Sequence, residues 1–205
     1  MEQPKAIRDT LSPRLKDGKI VLDNITLTAD QIKNLERIFI VACGSAYHVG
    51  VIAKYVLEKM TQIPVEVDIA SEFRYRDPII NDKVLVIVIS QSGETADTLA
   101  ALREAKRLGA RVLSIVNVVG SSIANESDDV IYTWAGPEIA VATTKAYSTQ
   151  LAVVYLIAIY MAEALNKISE KEYQEYIHEL ELLPDKVEEI LKDKKNIQYF
   201  ASQYF

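Results

Sequence analysis

Val84-Leu85-Val86-Ile87-Val88-Ile89-Ser90-Gln91-Ser92-Gly93-Glu94-Thr95, running on into Ala96-Asp97-Thr98-Leu99, sets how the rest of the chain is read. Residues 84–89 are apolar without a break, which predicts a strand buried on both faces. A hydroxyl-rich turn follows and opens directly into a helical pattern. A helix start leaves about four backbone N–H groups without partners and carries partial positive charge, so an oxyanion placed there satisfies donors and dipole together. Ser90, Ser92 and Thr95 each add a hydroxyl, Gln91 adds a carboxamide, and Gly93 lets the main chain turn tightly beside a ligand. Hydrogen bonds to a charged acceptor contribute roughly 1.5–3 kcal/mol each. Three or four of them, about 5–10 kcal/mol before desolvation and ordering costs, predict millimolar to micromolar affinity for a phosphate. Ser-Gly-Glu-Thr is also what helix capping selects, and both readings hold for any one serine. Glu94, in what reads as the first helical turn, is expected as an ionised cap partner rather than a base. The Walker spacing and Gly-x-Gly-x-x-Gly are both missing, so nucleotide and dinucleotide cofactors are disfavoured and no cofactor is expected.

Outward from this stretch, the chain alternates strand and helix. Strands are predicted at 38–42, 65–69, 84–89, 111–116 and 130–133, with helices at 47–60, 95–108, 121–126 and from about 144 onward. Nearly unbroken apolar strands in such alternation predict an α/β fold: a parallel five-stranded sheet with helices on both faces, a flavodoxin-like three-layer sandwich. Ligands in such sheets bind beyond the strand carboxyl ends where strand order reverses, which points to the loops after Ala42, Ile89 and Thr133. Residues 1–36 read as a helical lead-in, with helices over 2–15 and 28–35 and Ile20-Val21-Leu22 as an apolar link. Residues 37–168 read as the α/β domain. Residues 169–205 read as an amphipathic helical segment starting at a capping box, Ser169 to Glu172, and bent near Pro184.

Composition narrows the function. The chain has 205 residues, 49% of them hydrophobic, enough for one substantial core. A net charge of −6 without a clustered basic face argues against nucleic acid or an anionic membrane as partner. The start lacks the apolar core of a signal peptide, and the apolar run 151–165 is interrupted by Glu163, so a soluble cytoplasmic protein is expected. Cys43 is the only cysteine, which excludes an intrachain disulfide and a multi-cysteine metal site, and no metal is expected.

Two further segments repeat the strand, small-residue turn, helix pattern. In Cys43-Gly44-Ser45-Ala46-Tyr47-His48 the turn places Gly44 and Ser45 against a ligand, while Cys43 reads as a small core residue and His48 as locally packed. Glu138-Ile139-Ala140-Val141-Ala142-Thr143-Thr144-Lys145-Ala146 precedes a long helix. There Thr143 and Thr144 fit a cap as well as a ligand contact, and Lys145 fits a solvated side chain.

These segments, with Ala70-Ser71-Glu72-Phe73-Arg74-Tyr75-Arg76, together resemble the sugar-isomerase (SIS) domain, and more narrowly the first such domain of the glucosamine-6-phosphate synthase family. Members of that family release ammonia from glutamine in an N-terminal domain, then aminate and isomerise fructose 6-phosphate in two SIS domains. The resemblance implies a phosphosugar as partner (fructose, glucosamine or glucose 6-phosphate) and a homodimer. It implies phosphate contacts from Ser90, Gln91, Ser92 and Thr95, sugar contacts around Gly44 and Ser45, and Val141 with Thr143 facing the reacting end. Where some members carry serine this chain has Ala46, so that contact is lost or moved onto Ser45. Glu72, Arg74 and Arg76 are expected in ion pairs near a subunit contact.

Ketose-to-aldose isomerisation needs an acid or base within about 3 Å of the reacting carbons. The histidine, glutamate and lysine that the resemblance implies for this chemistry have no matching motif here, so no catalytic residue is assigned and the chain alone is expected to be inactive. A stand-alone SIS isomerase would need a histidine from the last helical region, where only His178 is found. A regulatory phosphosugar-binding module would need a basic DNA-reading helix before residue 37, which is absent.

Overall fold

In the computed structural model, which describes residues 1–22, 24–139 and 142–204, five parallel strands form the central sheet. They are β3 (Arg37–Ala42), β4 (Val65–Ile69), β5 (Val84–Ser90), β6 (Arg111–Val116) and β7 (Asp129–Tyr132), in the spatial order β4-β3-β5-β6-β7. Their alternation of side chains divides the core in two. Leu85, Ile87 and Ile89 of β5 join Ile38 and Ile40 of β3 on one face, under α3 (Gly44–Thr61) and α7 (Lys145–Ala164). Val84, Val86 and Val88 join Phe39 and Val41 on the other, under α4 (Ala70–Phe73), α5 (Ala96–Arg107) and α6 (Ser122–Glu126). Every residue of β5 is buried, and each such aliphatic side chain contributes roughly 1.5–3 kcal/mol on leaving water. The uninterrupted apolar run therefore reports a central strand covered twice.

α7 is apolar nearly all round and long enough to cross a membrane, yet 67% of its apolar stretch is buried inside the protein. It is the core helix of one layer and also the platform for the chain's two ends. Leu156 and Ile159 of α7 pack against Ile7 and Leu11 of α1 (Gln3–Leu11) and against Tyr173, Ile177 and Leu180 of α8 (Glu170–Lys192). A last helix, α9 (Lys194–Ala201), follows α8 and buries none of its residues.

Several local expectations shift. The lead-in helix stops at Leu11 and tightens into a 3-10 turn over Ser12–Arg14, because Pro13 cannot donate to the helical ladder. The apolar link begins as strand: β1 (Leu15–Lys16) pairs antiparallel with β2 (Lys19–Ile20) around Asp17 and Gly18, both at positive φ. Thr28 caps α2 (Ala29–Lys33) in a capping box with Gln31. The helix after β3 begins at Gly44, three residues earlier than its apolar period indicates. α8 runs as one helix through Pro184.

Candidate functional site

The chain enters the sheet at β3, steps outward to β4 on one side and then returns to β5, β6 and β7 on the other, so strand order reverses between β3 and β5. The crevice outside their carboxyl ends is where a doubly wound sheet accepts a ligand. A cleft of about 360 Å³ occupies that place, lined by Cys43 to Ala46 from the β3–α3 turn, Ile89 to Ser92 with Thr95 and Thr98 from the β5–α5 turn, and Thr143 and Gln150 from the start of α7. A wider groove of about 880 Å³ runs along the free edge strand β7 beside Leu22 and Trp134. It lies away from the reversal point and gathers no comparable set of hydroxyls and helix starts.

Gly44, Ser45, Ser90, Gln91, Ser92, Thr95 and Thr143 are thus brought together at one cleft. Val141 lies outside the described residues. The β5–α5 turn is already organised without a ligand. The Ser90 hydroxyl accepts from the Gly93 N–H at 3.1 Å and sits 3.1 Å from the Thr95 hydroxyl. The Ser92 hydroxyl accepts from the Glu94 N–H at 3.2 Å. A hydroxyl that accepts from the backbone keeps its own proton, so Ser92 and one of the Ser90–Thr95 pair retain a proton to donate outward. Gly93 stands at φ +68°, the left-handed conformation that glycine adopts without strain and that lets the turn close between β5 and α5.

Helix capping does not account for these residues. No side chain caps α5 at Thr95, and none caps α3 at Cys43. Two helix N-termini therefore open on one cleft with their first-turn donors free of side-chain caps, and no charged side chain stands among the lining residues. The partial positive charge there is that of the backbone.

Two acidic residues of the flanking loops are occupied elsewhere. Glu94 reaches α6, where its carboxylate accepts from the Ser122 N–H and the Ser122 hydroxyl, both at 2.7 Å. The backbone bond first, then the hydroxyl, hold its carboxyl below the usual carboxylate range. Glu94 is a cap, as its position indicates, but of α6 rather than α5. Glu138 caps α7: it accepts from the Thr144 N–H at 2.8 Å, the Thr144 hydroxyl at 3.1 Å and the Ala146 N–H at 3.1 Å. That leaves Thr143, not Thr144, to the cleft.

Other sequence expectations move. Lys145 is buried, not solvated, and its ammonium pairs with Glu2 at 2.8 Å, tying the start of α7 to the start of α1. Cys43 is half-buried and lines the cleft, with Sγ 3.9 Å from the Thr98 hydroxyl. His48 is exposed rather than packed, its ring edge-on to Tyr47 at 5.6 Å, and His178 is exposed on α8; neither lines the cleft. Arg74 pairs with Asp97 at 3.1 Å, and Arg76 pairs with Asp68 and with Glu66, all within the chain. Gln150, which sequence reasoning passed over, joins the cleft from the second turn of α7. A carboxamide at the head of an otherwise apolar helix was the available signal.

The SIS domain family model matches residues 31–160. The chain is 60% identical over its whole length to a glutamine–fructose-6-phosphate aminotransferase [isomerizing] of Caldanaerobacter subterraneus subsp. tengcongensis, covering 34% of that protein. It is 58% identical, again over its whole length and 34% of the relative, to the protein of the same name in Clostridium acetobutylicum. The C-terminal domain of glucosamine-fructose-6-phosphate aminotransferase from Francisella tularensis superposes with a TM-score of 0.92 at 40% identity, over 98% of this chain and 56% of that one. The chain thus spans about a third of the length of these curated relatives. With the reversal-point cleft, the parallel sheet and a family match across most of it, the chain belongs to the SIS domain family.

Proposed function

We propose that the cleft between β3 and β5 holds the phosphate of a hexose 6-phosphate, and that this chain is the first SIS domain of an enzyme converting fructose 6-phosphate and glutamine to glucosamine 6-phosphate and glutamate. The observation that carries the reading is the convergence of two uncapped helix starts with the hydroxyls of Ser90, Ser92 and Thr95 on a cleft lined by no charged side chain. Such a site suits a compact dianion, neutralised by oriented dipoles rather than by a lysine. In this reading Ser90, Gln91, Ser92 and Thr95 take the phosphate. Gly44 and Ser45 approach the sugar hydroxyls, and Thr143 lies toward the reacting carbons.

The cleft lining offers no carboxylate or imidazole to move a proton between sugar carbons. The chain's part is therefore to bind and orient, with ring opening and proton transfer supplied by the remainder of a longer enzyme. We place residues 37–168 as the SIS unit, working in a cytoplasmic homodimer without a cofactor. Light scattering checks the dimer.

Calorimetry with glucose 6-phosphate tests the site. Micromolar to millimolar binding is expected, with Ser92→Ala and Thr95→Val each weakening it about 10- to 100-fold, the loss of one hydrogen bond to a charged acceptor. Absence of heat at tens of millimolar ligand overturns the reading.

A further inference from the structure

Gln150 is 2% exposed, yet its Oε1 has no hydrogen-bond partner among the described residues. Buried polar atoms in this state are rare because each costs about 1–3 kcal/mol relative to a satisfied one. Only Ser121 Oγ shares the condition among the described residues, and it is pressed against the Gly93 backbone. Gln150 differs in place: it is one of the residues lining the cleft. Its neighbour Thr149, also buried, satisfies its hydroxyl by donating to the Ala146 carbonyl at 3.0 Å, a route closed to Oε1, which can only accept.

We infer that Gln150 is a specificity residue for the neutral, polyhydroxyl part of the ligand, its Oε1 accepting from a sugar hydroxyl. This rests on the phosphosugar reading above and adds to it a residue on the far wall of the cleft. The phosphate donors come from the β5–α5 turn, whereas Gln150 comes from α7, across from them. A phosphate oxygen can only accept, so it cannot satisfy Oε1; a hydroxyl can both give and take a hydrogen bond, which matches a carboxamide. The carboxamide left unsatisfied in the free protein would be satisfied only when a hydroxyl-bearing ligand is present. It would thus separate sugar phosphates from phosphate alone.

The test compares glucose 6-phosphate with methyl phosphate, which carries the anion without hydroxyls, by calorimetry on the full 205-residue chain and on Gln150→Leu. We expect the wild type to bind both, glucose 6-phosphate more tightly. In Gln150→Leu, glucose 6-phosphate should weaken about tenfold or more while methyl phosphate is unchanged. The free variant should melt at a higher temperature, since an unsatisfied buried amide is replaced by an apolar side chain of similar size. Gln150→Met, unbranched and closer in shape, serves if the leucine does not fold. Unchanged glucose 6-phosphate affinity in a folded variant overturns the inference and leaves the phosphate cradle standing. Equal weakening of both probes also overturns it, because it makes Gln150 a support of the cleft as a whole. Equal wild-type affinity for both probes overturns it too, since no hydroxyl is then being read. Failure of the wild type to bind either probe removes the phosphosugar reading and this inference together.

Discussion

A Cβ built on Gly93 would stand 2.0 Å from the Ser121 hydroxyl oxygen and 2.5 Å from the Ser121 Cβ, with Gly93 at φ +68°. Two independent constraints thus meet at one residue of the β5–α5 turn: a left-handed backbone and a neighbouring helix start with no room for a methyl group. The Gly93 carbonyl also accepts from the Ile123 N–H at 3.0 Å, so the turn and α6 are fastened together on both sides of that contact.

Gly93→Ala should therefore lower stability and glucose 6-phosphate affinity together. The left-handed conformation alone costs roughly 1–2 kcal/mol for a residue with a Cβ, and the clash adds to it. In a Ser121→Gly background the clash disappears while the conformational cost remains, so the same substitution should cost less there. Urea denaturation of the four proteins in this cycle measures the coupling. A cycle that closes with no coupling would mean that α6 yields freely to the loop.

The sheet was legible in the sequence because residues 84–89 and 111–116 carry a signal that burial on two faces imposes directly. The cleft-lining β5–α5 turn was legible because its hydroxyls, Ser90, Ser92 and Thr95, lie close together in sequence. Pairings across sequence were not. Glu94 caps a helix beginning 28 residues later, and Glu2 pairs with Lys145 across 143 residues. No local pattern marks either. The β1–β2 hairpin escaped for a different reason, since two-residue strands are too short to show a period. Gln150 was hidden by the apolar run that follows it, which reads as core.

Binding should follow the ionisation of the ligand and not of the protein. No charged side chain lines the cleft among the described residues, and a phosphate monoester changes from monoanion to dianion near pH 6. Affinity for glucose 6-phosphate should be level from about pH 7 to 8.5 and fall below about pH 6, by up to tenfold per unit. Calorimetry across this range checks it. An inflection within the upper range would reveal a titrating protein group at the site.

Ala46 sits at the third residue of α3, lining the cleft and 8% exposed. Ala46→Ser should add a hydroxyl to the cleft wall, tightening glucose 6-phosphate by about threefold to tenfold, one neutral hydrogen bond. Ser45→Ala should weaken binding in the natural chain but much less in the Ala46→Ser background, if Ser45 now makes the contact that alanine gave up. Equal losses in both backgrounds, measured by calorimetry, would show the two positions to be independent.

Asp129 gives the fold its acid limit. It is 1% exposed, and its carboxylate accepts from Arg111 Nε at 2.6 Å, the Thr26 N–H at 2.6 Å and the Thr26 hydroxyl at 3.0 Å. Burial pushes its carboxyl up, but the Arg111 bond and the two Thr26 bonds outweigh it and hold the carboxyl below the ordinary aspartate range. Because the folded value is depressed, the stability it lends is fully present above the unfolded value near pH 3.9 and is lost as pH falls through the folded value. Urea denaturation between pH 3 and 7 should show Asp129→Asn less stable than the wild type at neutral pH, with the gap narrowing toward pH 3. Arg111→Leu should cost more, about 3–5 kcal/mol at pH 7, since it leaves a buried carboxylate without its cation. A gap between wild type and Asp129→Asn that stays constant down to pH 3 would show that the charge of Asp129 contributes nothing beyond its hydrogen bonds.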